Sequence, residues 1–225
     1  MTVEEVPPLV LGIDTCTVVN VGLAWGDKVL ATATVADARA HVEELIPLVR
    51  ECITESDRRL PDLDHLVVGM GPGPFTGLRV GIATAQILST VLGIRLHGIC
   101  SLDVIAAQYV AEFTPDGDFI AATDARRREV YWARYAASGA RVGRPEVGSA
   151  DTVPSLPVVG PAADLYPDRL SSVPGPRALD PGVLATLGLR LPPVGTKPLY
   201  LRRADATEPT RRKSVLVRRP AGPPR

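Results

Sequence analysis

The apolar positions of the first hundred residues follow two different periods. Short runs rich in β-branched residues predict five strands, and two longer stretches with apolar residues three or four positions apart predict helices. In chain order the predicted elements are strands at 9–14, 18–25 and 28–35, a helix at 41–56, a strand at 66–69, a helix at 78–92 and a strand at 95–99. Gly26-Asp27 is a two-residue hairpin signal, so the second and third strands are expected to be antiparallel.

A second, strand-rich segment follows a predicted helix at 101–113 and a turn at 114–117. Its predicted strands lie at 119–123, 129–135 and near 141–147, and its helices, at 162–166 and 183–189, are short. Three antiparallel strands followed by helix, strand, helix and strand is the order of a ribonuclease H-like unit, and the second segment repeats its beginning. The sequence therefore predicts an α/β, actin-type (ASKHA) fold of two related lobes with a shortened C-terminal lobe.

Composition and charge divide the chain further. We expect an N-terminal extension at 1–8, an N-terminal lobe at 9–113, a reduced C-terminal lobe at 114–202 and a disordered Pro/Arg-rich tail at 203–225. From Arg202 onward eight Lys or Arg stand against two acidic residues, a charge of +6, and because the whole chain carries 25 basic and 25 acidic residues the remainder carries −6. Such a tail either contacts nucleic-acid phosphates or is a solvated end, and composition alone favours the solvated end.

The cysteines and the lengths of the apolar runs indicate the cellular compartment of the protein. Cys16, Cys52 and Cys100 are odd in number and lie in apolar surroundings, which disfavours a disulfide framework. Glu4 and Glu5 stand where a secretory signal would carry positive charge, and no uninterrupted apolar stretch approaches the ~20 residues that span a bilayer. We therefore expect a cytoplasmic protein without a membrane segment.

A loop rich in glycine and proline joins the strand at 66–69 to the helix at 78–92. Its glycines permit close backbone approach, while Pro72 and Pro74 fix φ and each removes a backbone donor. A phosphate nest needs consecutive N–H donors, and a Walker A loop needs Lys after its last glycine, whereas Gly77 is followed by Leu78. We therefore predict a structural loop, formed by Gly71, Pro72, Gly73, Pro74, Phe75, Thr76, Gly77, Arg79 and Gly81.

The helix at 78–92 has almost no polar face. A helix that is apolar nearly all round must be covered on more than one side, either by its own domain or by another chain. If another chain covers one side of the helix at 78–92, we expect the helix at 41–56 of this chain to contribute to the same interface. The residues expected at the interface are Leu45, Val49, Leu78, Ile82, Ala85 and Leu88.

The candidates for chemistry are few. In actin-like ATPases a turn after the first strand carries an Asp and hydroxyls that meet metal and phosphate, and Asp14 and Thr15 occupy that position, with Asp124 at the equivalent place in the second half. Neither turn has the glycine that lets the backbone approach phosphates, so a capped strand end is the competing interpretation. No two of the three histidines share a helical i, i+3 or i, i+4 spacing, so the sequence predicts no metal site. No Gly-x-Ser-x-Gly elbow is present, and we assign no catalytic residue, although a Ser-His-Asp assembly stays open because its members need not be adjacent in sequence.

An aromatic and cationic cluster follows the second-half strand. Tyr131 and Trp132, together with the arginines at 126–128 and Arg134, could form a surface that stacks bases and contacts phosphates. Alternate residues of a strand face opposite sides, so at most half of this set can share a face.

On these residues the chain resembles the TsaB (YeaZ) family across residues 9 to 202. The motifs that carry the resemblance are Leu11-Gly12-Ile13-Asp14-Thr15, His41-Val42-Glu43-Glu44-Leu45-Ile46-Pro47, the loop at 71–81, Ser101-Leu102, Asp124-Ala125-Arg126-Arg127 with Glu129-Val130-Tyr131, and Tyr200-Leu201-Arg202. The family pattern has Ser where Pro74 stands and commonly Ser where Val42 stands, and both departures are small.

The resemblance implies a scaffold without a catalytic site, metal or cofactor of its own, which binds TsaD while TsaD forms the threonylcarbamoyl group on adenosine in tRNA. TsaD carries a His-x-x-x-His pair just after the strand that follows the loop, whereas here residues 96–103 read Leu-His-Gly-Ile-Cys-Ser-Leu-Asp. It also implies a heterodimer with TsaD through the N-terminal helices, a homodimer when TsaD is absent, TsaE as a further partner, and tRNA contacted through the complex. Two alternatives stay open: a stand-alone actin-fold ATPase or kinase that uses Asp14 and Asp124, and a metalloprotease-like hydrolase.

Overall fold

The computed structural model describes residues 6–35 and 41–202. The predicted extension at 1–8 therefore lies mostly, and the tail at 203–225 entirely, outside the described residues. The main elements are β1 Leu9–Asp14, β2 Val19–Trp25, β3 Lys28–Val35, α1 His41–Glu55, β4 His65–Gly69, α2 Phe75–Leu92, β5 Arg95–Ile99, α3 Ser101–Phe113, β6 Phe119–Asp124, β7 Glu129–Tyr135, β8 Arg141–Ser149, β9 Val158–Val159, α4 Ala162–Leu165 and α5 Pro181–Leu187.

Two sheets share one strand order. The first runs β3-β2-β1-β4-β5, in which β1 is antiparallel to β2 and parallel to β4. The second runs β8-β7-β6-β9, in which β6 is antiparallel to β7 and parallel to β9. The second sheet thus repeats the first four positions of the first sheet and ends in a strand of two residues. The predicted α/β fold of two related lobes, the second shortened, is confirmed.

Successive side chains of a strand point to opposite faces of its sheet, so the first sheet has a separate core on each face. Along β1, Leu11 and Ile13 face the core shared with α1 and α2, whereas Val10 faces the core shared with α3 and α5. The first and last of these helices, α1 and α5, therefore lie on opposite faces of the first sheet. A third cluster, on the other face of the second sheet, includes Ile120 and Trp132 and packs against α4.

The two largest differences between the predicted elements and the structure are at α2 and β9. Helix α2 begins at Phe75, three residues earlier than predicted, because the Leu78 N–H already donates to the Pro74 carbonyl at 3.1 Å. Gly77 obscured this first turn in the sequence pattern, since glycine is a poor helix former. Strand β9 was not predicted, because two residues are too few to show a period.

A buried polar cluster ties α3 to the second sheet. The Tyr135 hydroxyl donates to Asp103 Oδ1 at 2.7 Å, and Arg141 Nη1 lies 3.4 Å from the same oxygen. Burial raises the pKa of Asp103, although the Arg141 guanidinium and the Tyr135 hydroxyl act in the opposite direction. Burial likewise raises the pKa of Tyr135 well above its usual range, so the phenol stays a donor.

Replacing Tyr135 by Phe should lower the free energy of unfolding by about 1–3 kcal/mol, because Asp103 loses its hydroxyl donor in a buried site. Urea unfolding followed by circular dichroism measures the difference. Tyr109→Phe is the matched control, since Tyr109 is also buried, at 8% exposed, and no hydrogen bond of its hydroxyl is found among the described residues. Equal unfolding midpoints for the two variants would show that the cluster contributes nothing.

Candidate functional site

The turn after β1 is buried beneath the 71–81 loop. Asp14 is 0% exposed; its Oδ2 accepts from the Ser101 hydroxyl at 2.5 Å and its Oδ1 accepts from the Cys16 N–H at 2.8 Å. The Thr15 hydroxyl donates to the Gly77 carbonyl at 2.7 Å. The polar groups of the turn are therefore bonded to protein, and neither Asp14 nor Thr15 is accessible to a nucleotide in this structure.

Two glycines permit this close approach. A Cβ added at Gly69 would lie 1.8 Å from Asp14 Oδ2, and one added at Gly81 would lie 2.2 Å from the Thr15 hydroxyl oxygen. Both distances are far below van der Waals contact, so the end of β4 and the first turns of α2 can touch the Asp14 turn only without side chains. The two glycines therefore explain why this turn and this loop occur together.

The thiol of the cysteine in the turn is not activated as a nucleophile. Cys16 Sγ lies 3.0 Å from the Ser101 hydroxyl oxygen, and burial, followed by the nearby Asp14 carboxylate, raises the pKa of this thiol well above its usual range. Burial also raises the pKa of Cys100 to about 12. Because the thiolate is the nucleophilic form, neither thiol is activated for covalent chemistry.

Backbone hydrogen bonds fix the loop at 71–81 to three parts of the fold. The Gly71 carbonyl accepts from the Ser101 N–H at 2.9 Å, at the start of α3, and the bond between Gly71 and Pro72 is cis. The preceding Met70 donates to Ile99 of β5 and accepts from Leu199 of the C-terminal segment, both at 2.7 Å. These contacts suit the predicted structural loop, which here serves to anchor the N-terminal end of α2.

The equivalent turn of the second lobe is capped by its own side chain. Asp124 Oδ1 accepts from the Arg126 N–H at 2.8 Å, and its Oδ2 lies 3.5 Å from the Arg126 guanidinium. Arg126, Arg127 and Arg128 all have positive φ, at 61°, 56° and 63°. Asp124 therefore stabilises a tight left-handed turn, which corresponds to the capped-strand interpretation of the sequence.

Replacing Asp14 by Ala should destabilise the fold by about 2–4 kcal/mol, since it removes the carboxylate that accepts from the buried Ser101 hydroxyl and from the Cys16 N–H. Thermal or urea unfolding measures the loss, with Asp116→Ala on an exposed turn as the control. A stand-alone ATPase would behave differently. In that case Asp14→Ala would keep the stability of the parent chain and lower its affinity for ATP.

An interlobe cleft of about 250 Å³ opens beside these turns. Its walls are Pro74 and Phe75 of the first lobe, Arg126, Arg127 and Tyr131 of the second, and the C-terminal residues 200–202. Sequence reasoning grouped Tyr131 with the arginines but missed Phe75 and Tyr200, because residues so far apart along the chain leave no local pattern.

The predicted partner interface needs correction. Leu45, Val49, Leu78, Ile82 and Ala85 are at most 4% exposed and form the core under the first sheet, while Leu88 is half-buried. The five buried side chains cannot meet another chain without leaving their own core, whereas the half-buried Leu88 stays a candidate. The error has a physical cause: α2 carries two apolar rows, and helical spacing alone does not tell which row faces the sheet.

The second row of α2 is exposed. Ile87 and Val91 are 64% and 76% exposed, and together with Ala83, Gln86 and Thr90 they line a shallow groove, which we name the apolar α2 face. By length and composition alone α2 is the one helix among the described residues that could cross a membrane, with a mean hydropathy of 1.3. Its other row, which includes Leu78, Ile82 and Ala85, packs in the core of the first sheet.

Comparisons with known proteins agree with this architecture. A family model described as "TsaD: tRNA N6-adenosine threonylcarbamoyltransferase" matches residues 28–162. An uncharacterized protein of Mycobacterium tuberculosis is 42% identical over 203 residues, covering 88% of this chain and 93% of its own length. The Escherichia coli tRNA threonylcarbamoyladenosine biosynthesis protein TsaB is 35% identical over 126 residues, covering 56% of this chain and 54% of that protein.

A solved structure extends the match to the fold. The crystal structure of a Pseudomonas aeruginosa protein with similarity to the peptidase YeaZ has a TM-score of 0.72 at 25% identity, covering 87% of this chain and 100% of that one. The family match runs from the start of β3 to the start of α4, so it spans both lobes. The chain belongs to the TsaB (YeaZ) family.

Proposed function

We propose that this chain is a scaffold subunit in the formation of threonylcarbamoyladenosine in tRNA, and that it acts by binding TsaD rather than by catalysis. Several relatives are named as tRNA threonylcarbamoyladenosine biosynthesis proteins, and the matching family model describes the transferase itself. A chain that is related to the transferase, and whose described residues present no accessible catalytic constellation, is suited to a supporting role.

The observation that carries the proposal is the apolar α2 face. Ile87 and Val91 are largely exposed on a helix whose opposite row includes the buried Leu78, Ile82 and Ala85. Burying an exposed Ile or Val side chain completely contributes about 1.5–3 kcal/mol. The loop at 71–81 anchors the N-terminal end of α2, so the face is presented on a rigid element. A rigid apolar row that the described residues leave exposed suits a protein–protein interface.

The buried Asp14 turn favours a scaffold over the two alternatives. A stand-alone ATPase or kinase would use Asp14 at an accessible phosphate site, whereas here its carboxylate is bonded to Ser101 and Cys16. A metalloprotease would need a cluster of metal ligands. Within residues 6–35 and 41–202, no three His, Cys, Asp or Glu side chains are grouped for this purpose.

The proposal extends to the rest of the assembly. TsaD occupies the apolar α2 face, TsaE joins the resulting complex, and tRNA is bound by the complex as a whole. In the absence of TsaD the same face pairs two copies of this chain, because two identical apolar rows can bury each other across a two-fold axis. We expect this assembly in the cytoplasm.

The test is direct association of the purified chain with TsaD of the same organism, measured by size-exclusion chromatography with light scattering. We expect a heterodimer at micromolar concentration that replaces any homodimer of this chain. Separate elution of the two proteins, with a stoichiometric ATP-binding signal from this chain alone, would contradict the scaffold and favour the ATPase alternative.

A further inference from the structure

The segment at 193–202 lies along the first lobe before it reaches the interlobe cleft. The Val194 N–H donates to the Gly98 carbonyl of β5 at 2.9 Å, and the Leu199 N–H donates to the Met70 carbonyl at 2.7 Å. The side chains of Val194 and Leu199 also pack against the apolar cores on both faces of the first sheet. The segment is therefore fixed to the first lobe up to the edge of the cleft.

A cationic and aromatic cluster then holds Tyr200 on the first-lobe wall of the cleft. The Tyr200 hydroxyl accepts from Arg79 Nε at 2.8 Å, and the Tyr200 ring centre lies 5.1 Å from that of Phe75. The Arg79 guanidinium in turn lies 3.7 Å from the centre of the Phe75 ring, which is a cation–π distance. Because Phe75 and Arg79 both belong to α2, Tyr200 is bound to the first lobe.

Two residues further along the chain, Arg202 is bound to the second lobe. Its guanidinium pairs with the Glu129 carboxylate at the start of β7, and its Nη1 donates to the Ala125 carbonyl at 2.9 Å. The Ala125 N–H donates to the Glu129 carbonyl at 2.9 Å, so both partners of Arg202 belong to one turn. The Arg202 side chain is 25% exposed, and a partly buried ion pair is screened less by salt than an exposed one.

The two attachment points lie on opposite walls of the cleft. One residue separates Tyr200 from Arg202, so extended backbone between them spans at most about 7 Å. A link this short cannot follow a separation of the lobes unless one set of contacts breaks. Elsewhere the lobes share one apolar core around α3, which includes Val67 of the first lobe and Phe119 of the second. The lobes are therefore joined by this core and, across the cleft, by residues 200–202.

The width of the cleft decides whether it can hold a ligand. Pockets for small molecules and cofactors commonly enclose about 300–1,000 Å³, whereas the interlobe cleft encloses about 250 Å³. Two lobes of one chain are expected to move relative to each other unless their interface is large and apolar. Hinge opening is a common form of this motion, and it widens the cleft between the lobes. A short link across the cleft opposes such opening.

We propose that residues 199–202, which we name the interlobe clamp, hold the two lobes at a fixed separation and keep the cleft below the size of a ligand pocket. Leu199 and Tyr200 attach the clamp to the first lobe, and Arg202 attaches it to the second. Breaking either attachment allows the lobes to separate. The clamp is a property of this chain by itself, so the inference does not rest on the proposed function.

The test is the distance between the lobes, measured by double electron–electron resonance on the full chain. Spin labels are attached through Thr54→Cys on α1 and Glu146→Cys on β8, which are exposed sites on different lobes. The three native thiols are buried, so labelling is directed to the introduced cysteines. We expect one narrow distance distribution for the labelled parent. When the clamp is broken, the distribution should broaden and its mean should shift by more than about 2 Å.

Two variants break the clamp at opposite ends. Tyr200→Leu removes the ring and the hydroxyl of the first-lobe attachment, and Arg202→Gln removes the ion pair of the second-lobe attachment. The matched control is Tyr166→Leu with Arg169→Gln, which makes the same two changes at residues whose contacts lie within the second lobe. The control should reproduce the distance distribution of the labelled parent.

Two results would overturn the proposal. An unchanged distribution in both clamp variants would show that the apolar core alone fixes the lobes. Equal broadening in the clamp and control variants would show a general loss of packing in place of a specific link. None of these measurements requires TsaD, so failure of the clamp leaves the scaffold proposal to its own test, and failure of the scaffold proposal leaves the clamp to this one.

Discussion

Replacing Ile87 and Val91 together by glutamate is expected to abolish association with TsaD and leave the fold intact. Both side chains are largely exposed in the free chain, so two carboxylates there remain hydrated and cost little. In the complex the same carboxylates would be desolvated at the centre of an apolar contact. We expect affinity for TsaD to fall by at least ~100-fold, measured by isothermal titration calorimetry.

Two controls make this result interpretable. Val142→Glu with Leu165→Glu places the same charges at exposed apolar positions of the second lobe, and should keep full affinity. Ile82→Glu lies on the buried row of α2 and should unfold the chain rather than weaken an interface. Normal TsaD binding by the Ile87 and Val91 variant, with its circular dichroism unchanged, would show that TsaD does not bind the apolar α2 face.

Replacing Gly69 by Ala should destabilise the fold by at least ~3 kcal/mol. The added methyl group would lie 1.8 Å from Asp14 Oδ2 and 2.6 Å from the Ser101 hydroxyl oxygen, two atoms already held by their mutual hydrogen bond. Relief requires either breaking that buried bond or moving β4 relative to β1. Chemical denaturation monitored by circular dichroism gives the change.

Gly117→Ala is the matched control for this substitution. Gly117 lies on an exposed turn without positive φ, and an added Cβ would meet no atom within 4 Å. Its effect should stay within about 0.5 kcal/mol of zero. If Gly69→Ala were tolerated equally well, the close packing of the Asp14 turn would not be a structural requirement, and the turn could open to admit a ligand.

The order of strands and helices could be predicted from the sequence because the periodic signal is strong. Residues 9–35 contain three strand-forming runs with a hairpin signal at Gly26-Asp27, and β1 to β3 follow the predicted bounds to within one residue. Helix α3 begins and ends where its pattern does, at Ser101 and Phe113. The start of α2 and strand β9 were missed, since one is marked by a glycine within the first turn and the other is two residues long.

The candidate site could be predicted only in part. The loop at 71–81 could be predicted because glycine and proline each determine which backbone conformations are allowed at their own positions. The exposed row of α2 was not, because Ile82 and Ile87 are equally apolar and only tertiary packing decides which of them is covered. The interlobe cleft brings together Phe75, Arg126 and Tyr200, which no local pattern connects.

The most direct test of the central claim is incorporation of labelled threonine into tRNA by the purified pathway proteins, with this chain present, omitted or replaced by the Ile87 and Val91 glutamate variant. We predict that incorporation requires this chain, and that the variant does not restore it although it is folded. Undiminished incorporation without the chain would contradict the claim that it is a scaffold required by TsaD.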